Sequence, residues 1–121
     1  MNKEILKKRT KQFAVRTFKF LLSLENNKPV DVISYQLLKS SSSVAANYRA
    51  VCRGKSDADF LNKLKVVDEE ADESLFWLEF ISDLELKCNG DELKFLMSEA
   101  NELVSIFSAS IKTIKSKNPK S

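Results

Sequence analysis

The chain contains no histidine. That absence removes Ser-His-Asp and Cys-His catalysis, and with them the Glu-x-x-His ligands of di-iron bundles. Glycine occurs only at Gly54 and Gly90, too sparsely for a phosphate-cradling loop, whose backbone needs several glycines to approach the anion. Two Gly and two Pro also argue against a β-rich fold, whose many turns depend on those residues. Long helices need few of either. Cys52 and Cys88 lie far apart in no metal or redox motif, so both are expected as free, half-buried thiols. No apolar run approaches the ~18–20 residues that span a bilayer. The basic stretch from Met1 to Lys11 leads into a mixed segment and not a secretory apolar core. The expectation is a cytoplasmic protein with no membrane partner. Asp57-x-Asp59 has the opening of a calcium loop but lacks its Gly and its distant Glu. No catalytic residue, cofactor site or metal site emerges, and the chain is expected not to be an enzyme.

What is present is helix. The 121 residues are 43% hydrophobic and 31% charged, enough for one domain with a real core. The whole chain, 1–121, reads as a single domain without repeat or linker. Four helical segments are expected at about 2–25, 31–53, 57–88 and 91–116. Asn26-Asn27-Lys28-Pro29 ends the first, since Pro cannot continue a helix and Asn favours its end. Gly54 ends the second, Ser56 is positioned to cap the third, and Asn89-Gly90 breaks the chain before Asp91, the expected cap of the fourth. Connections this short force neighbouring helices to run antiparallel.

Each segment carries a ladder spaced alternately by four and three. The ladders are Leu6, Thr10, Phe13, Thr17, Phe20, Leu24; Ile33, Leu37, Ser40, Val44, Asn47, Val51; Phe60, Leu64, Val67, Ala71, Ser74, Leu78, Ile81; and Leu93, Met97, Ala100, Val104, Phe107, Ile111, Ile114. Such spacing holds one face toward a core along a whole helix. Four ladders of similar length specify an all-α, antiparallel up-and-down four-helix bundle. Polar residues interrupt them. Ser40, Asn47 and Ser74 are expected as buried polar groups that pair across helices and fix register, with Glu70 or Ser74 as the partner of Asn47; a polar pocket is the other reading.

Some apolar residues lie on the wrong face. Val15, Phe18 and Leu22 form their own stripe behind the first ladder. Phe76 and Phe80 sit behind the third, and Trp77 flanks it. A lone bundle would expose them, and exposed aromatic patches mark interfaces. These six residues are the candidate self-association surface, unless irregular packing buries them within one chain.

Charge is uneven. Residues 1–60 hold 12 Lys and Arg against 5 Asp and Glu, a net +7, whereas 61–121 hold 8 against 12, a net −4. Either copies attract one another head to tail, or the basic half faces a polyanion. Lys7, Lys8, Lys11, Arg49, Arg53 and Lys55 are the candidate phosphate contacts. Arg16, Lys19 and the tail lysines Lys112, Lys115, Lys117 and Lys120 add to the basic surface. The run Asp68, Glu69, Glu70, Asp72, Glu73 reads as a solvated acidic face or a partner contact.

Three stretches carry a family resemblance. They are Gln36-Leu37-Leu38-Lys39-Ser40-Ser41-Ser42-Ser43-Val44-Ala45-Ala46-Asn47-Tyr48-Arg49-Ala50, Lys55-Ser56-Asp57-Ala58-Asp59-Phe60, and Glu70-Ala71-Asp72-Glu73-Ser74-Leu75-Phe76-Trp77-Leu78-Glu79. The opening Arg9-Thr10-Lys11-Gln12-Phe13-Ala14 fits as well. Together they resemble the bacterial four-helix-bundle proteins first noticed as products of intervening sequences inside 23S ribosomal RNA genes. The resemblance implies a homo-oligomeric ring, typically a homopentamer. It also implies kinship with the accessory protein of diversity-generating retroelements, which engages a reverse transcriptase and nucleic acid. A non-catalytic oligomer that binds structured ribosomal or intervening-sequence RNA is therefore expected. The alternative is a protein-interaction scaffold or accessory subunit that docks a partner such as a reverse transcriptase.

Overall fold

The computed structural model describes residues 2–117; Met1 and the tail Asn118-Pro119-Lys120-Ser121, with its expected basic Lys120, lie outside the described residues. Four helices form: α1 (Lys3–Leu22), α2 (Lys28–Val51), α3 (Asp57–Asp83) and α4 (Gly90–Lys117). Each starts on a side-chain cap. Asn2 Oδ1 accepts from Ile5 N–H at 2.8 Å, Asn27 Oδ1 from Val30 N–H at 3.0 Å, Ser56 Oγ from Asp59 N–H at 3.1 Å and Asn89 Oδ1 from Glu92 N–H at 3.1 Å. Each such bond is worth about 1 kcal/mol against alanine. Asn89, not Asp91, therefore caps α4; Asp91 lies in the first turn, where its charge suits the helix N-terminus. Asn27 likewise opens α2, with Pro29 in the first turn, where the missing proline N–H needs no partner.

Three helices stop earlier than expected, α2 by two residues, at Val51. α1 ends at Leu22, where Ser23 is the cap and its Oγ donates to the Phe20 carbonyl. α3 ends at Asp83, not 88, because Glu85 turns left-handed at φ 54°. That position after a helix usually holds glycine, so nothing in the sequence marks the stop.

The order is up-down-up-down, with α1 on α2, α2 on α3, α3 on α4 and α4 closing back on α1. Arg9 meets Glu99 while Arg16 meets Glu92, so α1 runs antiparallel to α4, and Asp68 on α3 meets Ser108 on α4. The core holds Leu37, Val44, Val67, Ala71, Leu78, Ile81, Leu96, Ala100, Leu103 and Phe107, all without solvent contact. The first ladder is buried from Leu6 to Phe20, and Leu24 packs against its edge. On the other helices the innermost line drifts by one residue from the ladder. Val30, Ser41 and Tyr48 are buried on α2, Leu61 on α3, and Leu96 and Leu103 on α4. Ile33, Phe60, Met97, Val104, Ile111 and Ile114 are only partly buried against them. A helix repeats every 3.6 residues, so each apolar face is wider than one ladder.

Candidate functional site

The antiparallel order gathers the starts of α1 and α3 and the ends of α2 and α4 at one end of the bundle. Residues 2–12, 40–71 and 101–117, which build that half, hold 13 Lys and Arg against 7 Asp and Glu, a surplus of six positive charges. Residues 13–39 and 72–100 hold 6 against 10, a deficit of four. The polarity seen along the sequence thus becomes a polarity along the bundle axis. Arg49, in the last turn of α2, and Arg53 and Lys55, just beyond it, are exposed near the C-terminal end of that helix, whose dipole favours cations. Among the described residues none of these three side chains has a carboxylate within 4 Å. Lys7 differs: its ammonium lies 3.3 Å from Glu4. Lys8 and Lys11 run down the outer face of α1, where they border a shallow groove of about 570 Å³ with Gln12, Val15 and Arg16. The six candidate phosphate contacts therefore divide into a terminal trio and an α1 side group.

Of the six candidate interface residues, five are exposed: Val15 (45%), Phe18 (46%), Leu22 (71%), Phe76 (52%) and Phe80 (38%). Trp77 is not. It is half-buried against the core, with Phe76 edge-on at 4.9 Å between ring centroids and Phe80 at 5.6 Å, so it supports the rings outside it. Its Nε1–H is buried without a partner among the described residues. Sequence reading missed further exposed apolar residues in the same half of the bundle: Val32, Tyr35, Leu84 and Phe95. Phe18 and Leu22 also line a groove of about 450 Å³ between α1 and α2 with Val30, Tyr35 and Leu38.

The interior polar residues resolve differently from one another. Ser74 Oγ lies 3.0 Å from Ser40 Oγ, and Ser40 Oγ lies 3.2 Å from the Leu37 carbonyl. Ser74 Oγ also lies 2.9 Å from the Glu70 carbonyl, so one hydroxyl donates to the other and the acceptor donates to a carbonyl of its own helix, which satisfies both and ties α3 to α2. Asn47 does not join them. It is half-buried, and its Nδ2 donates to the Ser43 carbonyl at 2.9 Å and to Ser43 Oγ at 2.7 Å within its own helix. The inner place belongs to Tyr48, whose ring lies 5.6 Å from that of Phe107. Desolvation pushes the Tyr48 phenol up to about 12, so it stays neutral.

The seam between α1 and α4 is charged, which sequence reading also missed. Arg9 donates to Glu99 through Nε and Nη2, both at 2.7 Å, and Nη2 lies 2.9 Å from Glu102. Arg16 holds Glu92 in the same forked manner, and its guanidinium lies 3.6 Å above the Phe95 ring. The Arg16 hydrogen bond keeps the Glu92 carboxyl below its usual range. Arg16, counted by sequence as part of the basic surface, is thus paired within the chain although its side chain remains 43% exposed. In the acidic run of α3, Asp68 and Glu70 are half-buried and desolvation pushes both carboxyls up, while Glu69, Asp72 and Glu73 are exposed. Among the described residues no three His, Cys, Asp or Glu side chains could hold a metal ion, and no helix is long and apolar enough to cross a membrane. Cys52 and Cys88 are free and half-buried.

Comparison with known proteins adds two likenesses. The model of a family described as 23S rRNA-intervening sequence protein matches residues 2–109. A crystal structure of a protein of unknown function from the S23 ribosomal protein family of Bacteroides thetaiotaomicron is 31% identical, with a TM-score of 0.78 over 93% of this chain and 99% of that one. No curated protein matches the chain.

Proposed function

The chain belongs to the 23S rRNA-intervening sequence protein family, and from that premise we propose that it is a non-catalytic, ring-forming protein whose basic end binds structured RNA. The carrying observation is the terminal trio: Arg49, Arg53 and Lys55 are exposed near one end and their side chains have no carboxylate within 4 Å among the described residues. Cations left unpaired at one end of a molecule with a surplus of positive charge there are suited to phosphates. Lys112, Lys115 and Lys117 at the end of α4 extend the same surface. The α1 lysines lie farther along the outer face. Assembly into a ring, with a homopentamer as the family-based expectation, would repeat the basic end in each copy and multiply a weak contact by avidity.

The reading predicts retention of a structured ribosomal RNA fragment on a filter at low salt, lost steeply as salt rises. Releasing counterions from Z phosphates gives a log–log salt slope of roughly −0.7Z to −0.9Z. R49E/R53E/K55E should weaken binding at least tenfold and flatten that slope. A wild-type protein that retains no RNA at low salt refutes the RNA reading. An assembled protein indifferent to RNA would instead favour a scaffold or accessory subunit that docks a protein, a reverse transcriptase being the expected kind.

A further inference from the structure

Two helix faces on opposite sides of the bundle carry apolar residues, and their charges are opposite. On α1 the face directly behind the core ladder reads Lys8, Lys11, Val15, Phe18, Lys19, Leu22, all exposed. On α3 the corresponding face reads Glu69, Asp72, Phe76, Glu79, Phe80, Asp83, also all exposed. Among the described residues none of these charged side chains has an ion-pair partner. One stripe is cationic and apolar, the other anionic and aromatic. Because the helices follow one another around the bundle, α1 and α3 occupy diagonal corners, and their stripes face away from each other.

We propose that these stripes mate between copies: the α1 face of one chain docks on the α3 face of the next. This rests on the self-association part of the function proposed above and assigns its surfaces. Three observations select a second copy of this chain as the occupant. The charges are complementary, as heterologous pairing requires. The apolar residues within each stripe give the contact a desolvated centre inside a charged rim. The levels also match. α1 and α3 run in the same direction; Lys3 reaching over the Phe60 ring puts residues of α1 beside residues of α3 57 positions later, while the contacts Arg9–Glu99, Tyr48–Phe107 and Ser40–Ser74 taken in turn put Arg9 level with Ser74, 65 positions later, and pairings about 61 apart lie midway between the two. A neighbour displaced sideways with its axis parallel brings Lys8 and Lys11 opposite Glu69 and Asp72, Val15 opposite Phe76, and Phe18 and Lys19 opposite Phe80 and Glu79. From Lys8 to Leu22 the stripe spans about 21 Å at 1.5 Å per residue.

A contact that uses different faces on the two partners leaves one of each face free after every addition, so it propagates, into a ring where the rotation between neighbours closes and into an open filament where it does not. Parallel bundle axes also place every basic end on the same side of the assembly. Lys8 and Lys11 then serve the joint between subunits, and the terminal trio is left for phosphate.

Charge reversal without RNA tests this. Wild type is measured by multi-angle light scattering beside K8E/K11E, beside E69K/D72K, and beside the chain carrying all four changes. Circular dichroism verifies that each stays helical. Each double variant should fall from the assembled mass toward the 13.8 kDa of one chain. The fourfold variant should reassemble, because its faces are complementary with the signs exchanged. Mixing the two double variants should also restore association, with the two alternating along the assembly and therefore without closing a five-membered ring, since each supplies the face that the other's altered face requires. Double variants that keep the wild-type mass would overturn the pairing and leave self-association standing. A monomeric wild type would remove both. If either double variant loses its helices, K8Q/K11Q and E69Q/D72Q are measured in its place, where wild-type mass in each alone again counts against the pairing.

Discussion

Replacing Arg9 by methionine should loosen the α1–α4 seam by an amount bounded from two sides. The guanidinium makes two bonds of 2.7 Å to Glu99, and the Arg9 and Glu99 side chains retain only 18% and 12% of their exposure. An exposed ion pair contributes at most about 1 kcal/mol, whereas removing one member of a fully buried pair costs about 3–5 kcal/mol. The Arg9 site lies between these limits, and Glu102, itself 57% exposed, is too solvated to add much. The expected loss for R9M is about 2 kcal/mol, since Glu99 is left partly buried without its countercharge. For a chain of this size that corresponds to a fall in Tm of roughly 8 °C. Urea and thermal unfolding followed by circular dichroism measure it. The cycle completed by E99L and R9M/E99L separates the pair from its surroundings. The double variant should recover most of the loss, because no charge is then stranded. An R9M protein within about 0.5 kcal/mol of wild type, or a double variant no better than the sum of the singles, would show that the seam is held by packing and not by the pair.

Ser74→Ala should cost about 1 kcal/mol by leaving Ser40 without its cross-helix partner, and S40A/S74A should cost less than the two singles added; denaturant midpoints read both. Asp68→Asn should be more stable than wild type at pH 7, because burial and the neighbouring Asp72 and Glu69 raise the Asp68 pKa in the fold and so penalise its charge. A raised carboxyl in the folded state means wild type gains from this group as pH falls, so the advantage of the amide should vanish below the ordinary carboxylate range; Tm measured across pH checks it. Glu92 carries the opposite sign: its depressed pKa gives stability that is present above its unfolded value and lost as pH falls through the folded one, and Glu92→Gln should remove that part of the acid sensitivity. Glu85→Gly should stabilise by ~0.5–1 kcal/mol, the left-handed strain relieved less the entropy that glycine adds to the unfolded chain; a Tm no higher than wild type would contradict it.

The helices and their core were legible because the apolar period is strong and three connections carry Asn or Gly signals. The end of α3 was not legible, because Glu85 occupies a conformation that sequence normally announces with glycine. Asn27 and Asn89 were read as punctuation, yet each is the cap of the helix that follows; Asn serves either role and only the backbone decides. The exposed rings Phe18, Phe76 and Phe80 could be found from phase alone, since each sits opposite its ladder. Trp77, one position around the helix, could not be placed, as a flanking residue is covered or bare depending on the neighbouring helix. The Arg9–Glu99 and Arg16–Glu92 forks were invisible because they join residues 90 and 76 positions apart, and a lone sequence does not reveal such partners. Asn47 failed as a core residue for a local reason: Ser43, one turn back, offers it both a carbonyl and a hydroxyl.

The small hydroxyl contact between Ser40 and Ser74 has a consequence far from where it lies. It allows α3 only one rotational setting against α2: turning α3 by one residue about its axis, or sliding it by one turn, would separate the two oxygens. The same turn would sweep Phe76, Phe80 and Glu79 around the surface by the same angle, since a helix moves as a rigid rod. A dry contact of two oxygens at the axis thus acts as an angular stop for a surface on the far side of the helix, and the fit of one copy to another depends on an alignment that neither copy touches.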